Sequence, residues 1–77
     1  MISKTLLLDT IDSVREFVDI ANTKDYSILL RKDNAVVNGK SIMSVFGLDL
    51  TKPVIMEADT KTGFDLLKQI DKFIYKK

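Results

Sequence analysis

The 77-residue chain has no cysteine and no histidine. Without cysteine there is no disulfide, no thiolate nucleophile and no soft metal site. Without histidine the commonest general base and the commonest metal ligand are missing, and no phosphoryl group can travel on an imidazole. The three glycines are scattered, so no glycine-rich loop cradles a phosphate. Neither sign of charge dominates: 12 basic against 11 acidic side chains leave a net charge of +1. Lysines and aspartates are interspersed, which argues against a nucleic-acid binder. The one basic cluster, Lys72, Lys76 and Lys77, reads as a solvated helix end that suits the dipole. No wholly apolar run is longer than that of residues 6–8, so no membrane span is expected. Met1-Ile2-Ser3-Lys4-Thr5 has no signal-peptide anatomy, and a cytoplasmic protein is predicted. The carboxylates form no pair in a context for acid/base work. An enzyme, a metal and a cofactor are therefore not expected.

What is present suits one small folded domain, with 45% hydrophobic and 30% charged residues. Residues 3–8 read as a strand with Leu6 and Leu8 on one face. Residues 11–23 read as a helix, because Ile11, Val14, Phe17, Val18 and Ala21 recur at spacings of three and four. Asp9 or Thr10 can cap it, and Ser13 with Glu16 also fits a capping box. Residues 26–32 and 35–39 form a predicted hairpin around Asp33-Asn34, two residues that tolerate positive φ. Ser41 looks like a helix cap and Gly47 like a stop, with a short helix between them. Residues 53–58 read as a strand. Residues 61–75 read as a helix capped by Asp59 or Thr60, with a stripe of Phe64, Leu67, Ile70, Phe73 and Ile74 and with Leu66 beside it. The order is β-α-β-β-α-β-α. It implies an α+β open-faced sandwich, a four-stranded antiparallel sheet under helices on one side. The expected core is Leu6, Leu8, Val14, Phe17, Val18, Ala21, Ile28, Leu30, Val37, Met56, Leu67 and Ile70.

Residues 37–48 read Val-Asn-Gly-Lys-Ser-Ile-Met-Ser-Val-Phe-Gly-Leu. This closely resembles the regulatory-serine segment of HPr, the phosphocarrier of the bacterial sugar phosphotransferase system, whose run is Val-Asn-x-Lys-Ser-Ile-Met-x-Val-x-x-Leu. Every named position is kept. The resemblance extends more weakly over the whole chain in element order and length. It implies the HPr-like fold and two sites. The first is a histidine at the start of the first helix, followed by Ala-Arg-Pro. Thr10-Ile11-Asp12-Ser13 stands there in this chain, so the histidine, the arginine and the proline are all absent, and the connection is shorter by about five residues. A threonine cannot relay the phosphoryl group, because its phosphate is a low-energy ester. The second is a serine phosphorylated by a dedicated kinase/phosphorylase, which aligns with Ser41, with Lys40 as a neighbouring cation. The family's apolar docking patch aligns with Ile42, Met43 and Phe46. Phe46 stands where methionine is common, and its rigidity implies a narrower set of partners.

Ser41 alone reads as a plain helix cap, and only its matching flanks set a regulatory role beside that reading. The short helix cannot bury Ile42, Met43 and Phe46 together; Val45 and Leu48 are the better core candidates, which leaves an exposed patch. Two functions follow. One is a regulatory HPr-like protein that meets the serine kinase/phosphorylase or a transcriptional regulator of the HPr system and is switched at Ser41. The other is an HPr-fold interaction module unrelated to sugar transport and not phosphorylated.

Overall fold

A computed structural model describes residues 1–75. The element order is β1 (Ile2–Leu6), α1 (Ile11–Asn22), β2 (Ile28–Lys32), β3 (Ala35–Asn38), α2 (Ile42–Phe46), β4 (Val54–Ala58) and α3 (Phe64–Ile70), with a 3₁₀ turn over Asp71–Phe73. The strands form one antiparallel sheet in the order β1-β4-β2-β3. The helices cover one face of this open sandwich and leave the other free.

Strand alternation sets the two faces. Leu6, Ile28, Leu30, Val54, Met56 and Ala58 are buried on the helix side. The free face carries Thr5, Ile55, Arg31 and Val36 in one cross-strand row. Ile55 and Val36 are exposed there, and Arg31 pairs with Glu57 at 3.1 Å. From α1, Val14, Phe17, Val18 and Ala21 enter the core as their spacing predicts. Thr10 is its cap, with the Ser13 amide donating to Thr10 Oγ1 at 3.0 Å.

Several expectations need correction. β1 stops at Leu6, and Leu8 is buried from beyond the strand. β2 and β4 begin one or two residues later than predicted, while β3 and α1 each end one residue earlier. Ile11, at the first position of α1, is 66% exposed. Only Asp33 takes a positive φ in the hairpin turn, 53°. Val37 and Leu67 are half-buried against the core, not within it.

The largest departure is α3, which covers Phe64–Ile70 and not residues 61–75. Neither Asp59 nor Thr60 caps it; Gly63 stands at that position. Asp59 N donates to the Ser27 carbonyl at 2.9 Å, and Thr60 Oγ1 accepts from Thr62 N at 3.2 Å, so these residues are spent on a turn. Phe64 is 71% exposed while Leu66 is fully buried. At the other end Phe73 is buried, but Ile74 is extended and bridges antiparallel to Leu6. Leu7 N donates to the Phe73 carbonyl at 2.8 Å and Tyr75 N to the Thr5 carbonyl at 2.9 Å. The tail thus covers the open edge of β1, where unpaired backbone groups would otherwise remain. Lys72 pairs with Glu16 of α1. Lys76 and Lys77, the rest of the predicted basic cluster, lie outside the described residues.

Candidate docking and regulatory site

The segment from Asn38 to Gly47 holds its shape through short-range bonds. Gly39 N donates to the Ile28 carbonyl at 2.7 Å, and Lys40 N to Asn38 Oδ1 at 2.9 Å. Ser41 N donates to the Asn38 carbonyl at 3.1 Å. The chain then turns into α2 with Ser41 as its cap and Gly47 as its C-terminal boundary, both as the sequence predicts. Ser41 Oγ accepts from Ser44 N at 3.4 Å, a long and weak capping bond, and the Ser41 carbonyl accepts from Val45 N at 3.0 Å. Ser41 is half-buried.

Val45 and Leu48 anchor this segment in the core. Met43 is 78% exposed and Phe46 42%. Ile42 divides its surface, half-buried and packed against the core. The apolar patch is therefore chiefly Met43 and Phe46, with Ile42 at its base.

The Lys40 ammonium donates to the backbone carbonyl of Lys24 at 2.8 Å, beyond the end of α1. Asn22 Nδ2 in turn donates to the Lys40 carbonyl at 3.0 Å and to the Val18 carbonyl at 2.9 Å. Lys24 continues the network: its ammonium bonds Asp65 Oδ2 at 3.0 Å and Gln69 Oε1 at 2.7 Å on α3. The Lys24 bond holds the Asp65 carboxyl below the usual carboxylate range. Asn22 and Lys24 escaped the sequence reading, because nothing local marks contacts made across 16 to 18 residues.

The start of α1 is chemically different from α2. Thr10 Oγ1 accepts from Ser13 N and donates to Ser13 Oγ at 2.8 Å. A cleft of about 530 Å³ lies beside it, between the β1–α1 connection and the C-terminal segment, lined by Asp9, Ser13, Lys72 and Tyr75 among others. Among the described residues no group of His, Cys, Asp and Glu side chains is arranged to hold a metal ion. No described helix is long and apolar enough to cross a membrane.

The chain has the HPr fold. HPr-C-His of Thermoanaerobacter tengcongensis superposes with a TM-score of 0.78 at 25% identity, over 96% of this chain and 91% of that one. The phosphocarrier protein HPr of Bacillus anthracis superposes at 0.72 and 19% identity, over 96% of both chains. No family model matches the chain, and no curated protein does. The relation to HPr phosphocarriers is thus carried by the fold, with low identity along its length.

Proposed function

We propose that this chain is a regulatory or interaction protein of the HPr kind, not a phosphocarrier. One observation carries the reading: an HPr fold in a chain without a single histidine. The position that would carry the phosphoryl group by resemblance is Thr10, whose hydroxyl caps α1. What remains is a protein surface, and the exposed Met43 and Phe46 supply an apolar one. Partners of this reading are proteins of the HPr system, the serine kinase/phosphorylase or a transcriptional regulator, met in the cytoplasm.

Ser41 is the proposed switch, with Lys40, Ile42, Met43 and Phe46 as the partner-binding residues. A phosphate on Ser41 adds roughly two negative charges beside the patch. It should leave the fold intact, since an anion near a helix N-terminus is favourable by up to about 1 kcal/mol. Treatment with ATP and a serine kinase of the HPr system, followed by peptide mass spectrometry, tests this. Phosphate on Ser41 and none on Ser44 is expected, because Ser44 lies within α2. An unmodified protein, with a kinase active on its own substrate, would remove the switch.

A second reading is favoured by the half-buried Ser41 and by the engagement of Lys40 with the Lys24 carbonyl. In it the same patch serves an HPr-fold interaction module that is unrelated to sugar transport and never phosphorylated. Loss of partner binding in Phe46→Ala without any phosphate on Ser41 would select it.

A further inference from the structure

We propose that Asn22 is a positioning residue for the α2 docking segment, so that the last turn of α1 preorganises the surface made by Ser41, Met43 and Phe46. This rests on the docking reading above. α2 has five residues, too few to hold a helix by its own propensity. Its place is inherited from its anchors. Val45 and Leu48 fix one side in the core. The entry side is fixed by a reciprocal clasp. The Asn22 amide reaches out to the Lys40 carbonyl, and the Lys40 ammonium reaches back to the Lys24 carbonyl.

The chemistry of the clasp is specific at both ends. Asn22 Nδ2 carries two donors and spends them on two carbonyls, Val18 and Lys40. An aspartate of the same shape has no donor and would set a carboxylate against both oxygens. α1 has no basic residue in its last turn. Lys40 therefore brings the cation that favours the negative end of this helix from another part of the chain. Lys24, with its side chain only 9% exposed, is itself held by Asp65 and Gln69, so the receiving carbonyl sits on a fixed loop.

The test compares native protein with Asn22→Asp and Lys40→Met by amide hydrogen exchange. Exchange at the Ser44, Val45 and Gly47 amides should rise about fivefold in either variant relative to β4 amides, the factor for losing one hydrogen bond of about 1 kcal/mol. The isosteric aspartate separates donation from shape. Unchanged exchange in Asn22→Asp, or a rise shared equally by β4, would overturn the proposal. The kinase reaction at Ser41 provides a second arm. A loosened segment must be ordered on binding, so KM should rise about fivefold in Asn22→Asp while kcat holds. An unchanged KM would also overturn it. If the native protein takes no phosphate, the Ser41 reading falls and the exchange arm alone decides the role of Asn22.

Discussion

Gly39→Ala probes the join between the fold and the site. A Cβ at this position would lie 3.0 Å from Ile28 Cγ2 and 3.0 Å from the Ile28 carbonyl oxygen, with the carbonyl carbon at 3.4 Å. Two of these three atoms are backbone. Ile28 is fully buried on an interior strand, paired across to Ala58. The Gly39 N–H bond to the Ile28 carbonyl, 2.7 Å long, draws the two segments together. Nothing there can give cheaply. Forcing a methyl into such a contact costs about 1–3 kcal/mol. Against it stands a gain of about 0.4–1 kcal/mol from the stiffer unfolded chain, available because φ here is not positive. The net loss should be about 1–2 kcal/mol, a fall in Tm of roughly 5–15 °C for a domain of this size. Thermal melts followed by circular dichroism, with urea titrations beside them, measure it. Gly63→Ala is the internal comparison. Its Cβ would meet Ile2 Cδ1 and Thr60 Cγ2, both at 3.0 Å and both free side-chain ends, so a smaller loss is expected. A Gly39→Ala protein with unchanged or raised Tm would refute the close approach of the two segments.

Other consequences are equally open to measurement. Phe17→Ala removes a fully buried ring and should cost about 3–5 kcal/mol in urea unfolding; a loss under about 1 kcal/mol would contradict the place of α1. The Tyr26 hydroxyl is buried with no hydrogen-bond partner among the described residues, and burial raises its pKa, so Tyr26→Phe should be neutral or stabilising by up to about 1 kcal/mol on a denaturation curve. The Asp65 carboxyl, lowered by its bond to Lys24, contributes stability that is present above the usual aspartate pKa of about 3.9 and lost as pH falls through the lower folded value. Acid titration of native protein and Asp65→Asn should show that the variant lacks this part of the pH dependence; identical acid profiles would contradict the pair. Phe46→Ala removes a side chain that is 42% exposed, so Tm should change little while partner binding weakens.

The elements that were legible in the sequence are those whose signals are local. Ser41 and Gly47 bracket α2 where expected, and Val14, Phe17, Val18 and Ala21 mark the buried side of α1 by spacing alone. The hairpin turn declared itself through Asp33. The exposure of Met43 and Phe46 was readable too, because α2 is too short to bury them beside Val45. What escaped depends on distant chain. Phe73 and Ile74 continue a helical stripe in sequence, yet the chain leaves the helix because the free edge of β1 offers backbone partners to Ile74 and Tyr75. Leu66, Ile70 and Phe73, spaced by four and three, make the buried face, and Phe64, the first residue of the expected stripe, falls outside it. The clasp was invisible for the same reason: Asn22 looks like an ordinary surface polar position, and Lys40 was read only as a cation beside Ser41, until the fold brings the two together.

We propose that this HPr fold carries no phosphocarrier chemistry. It is tested most directly by incubating the protein with phosphoenolpyruvate and the general enzyme of the sugar phosphotransferase system, then assaying acid-labile phosphate on the intact chain. With no histidine in the sequence and with Thr10 capping α1, no acid-labile phosphate should be found. Stoichiometric uptake, relayed onward to a sugar transporter, would make the chain a phosphocarrier after all.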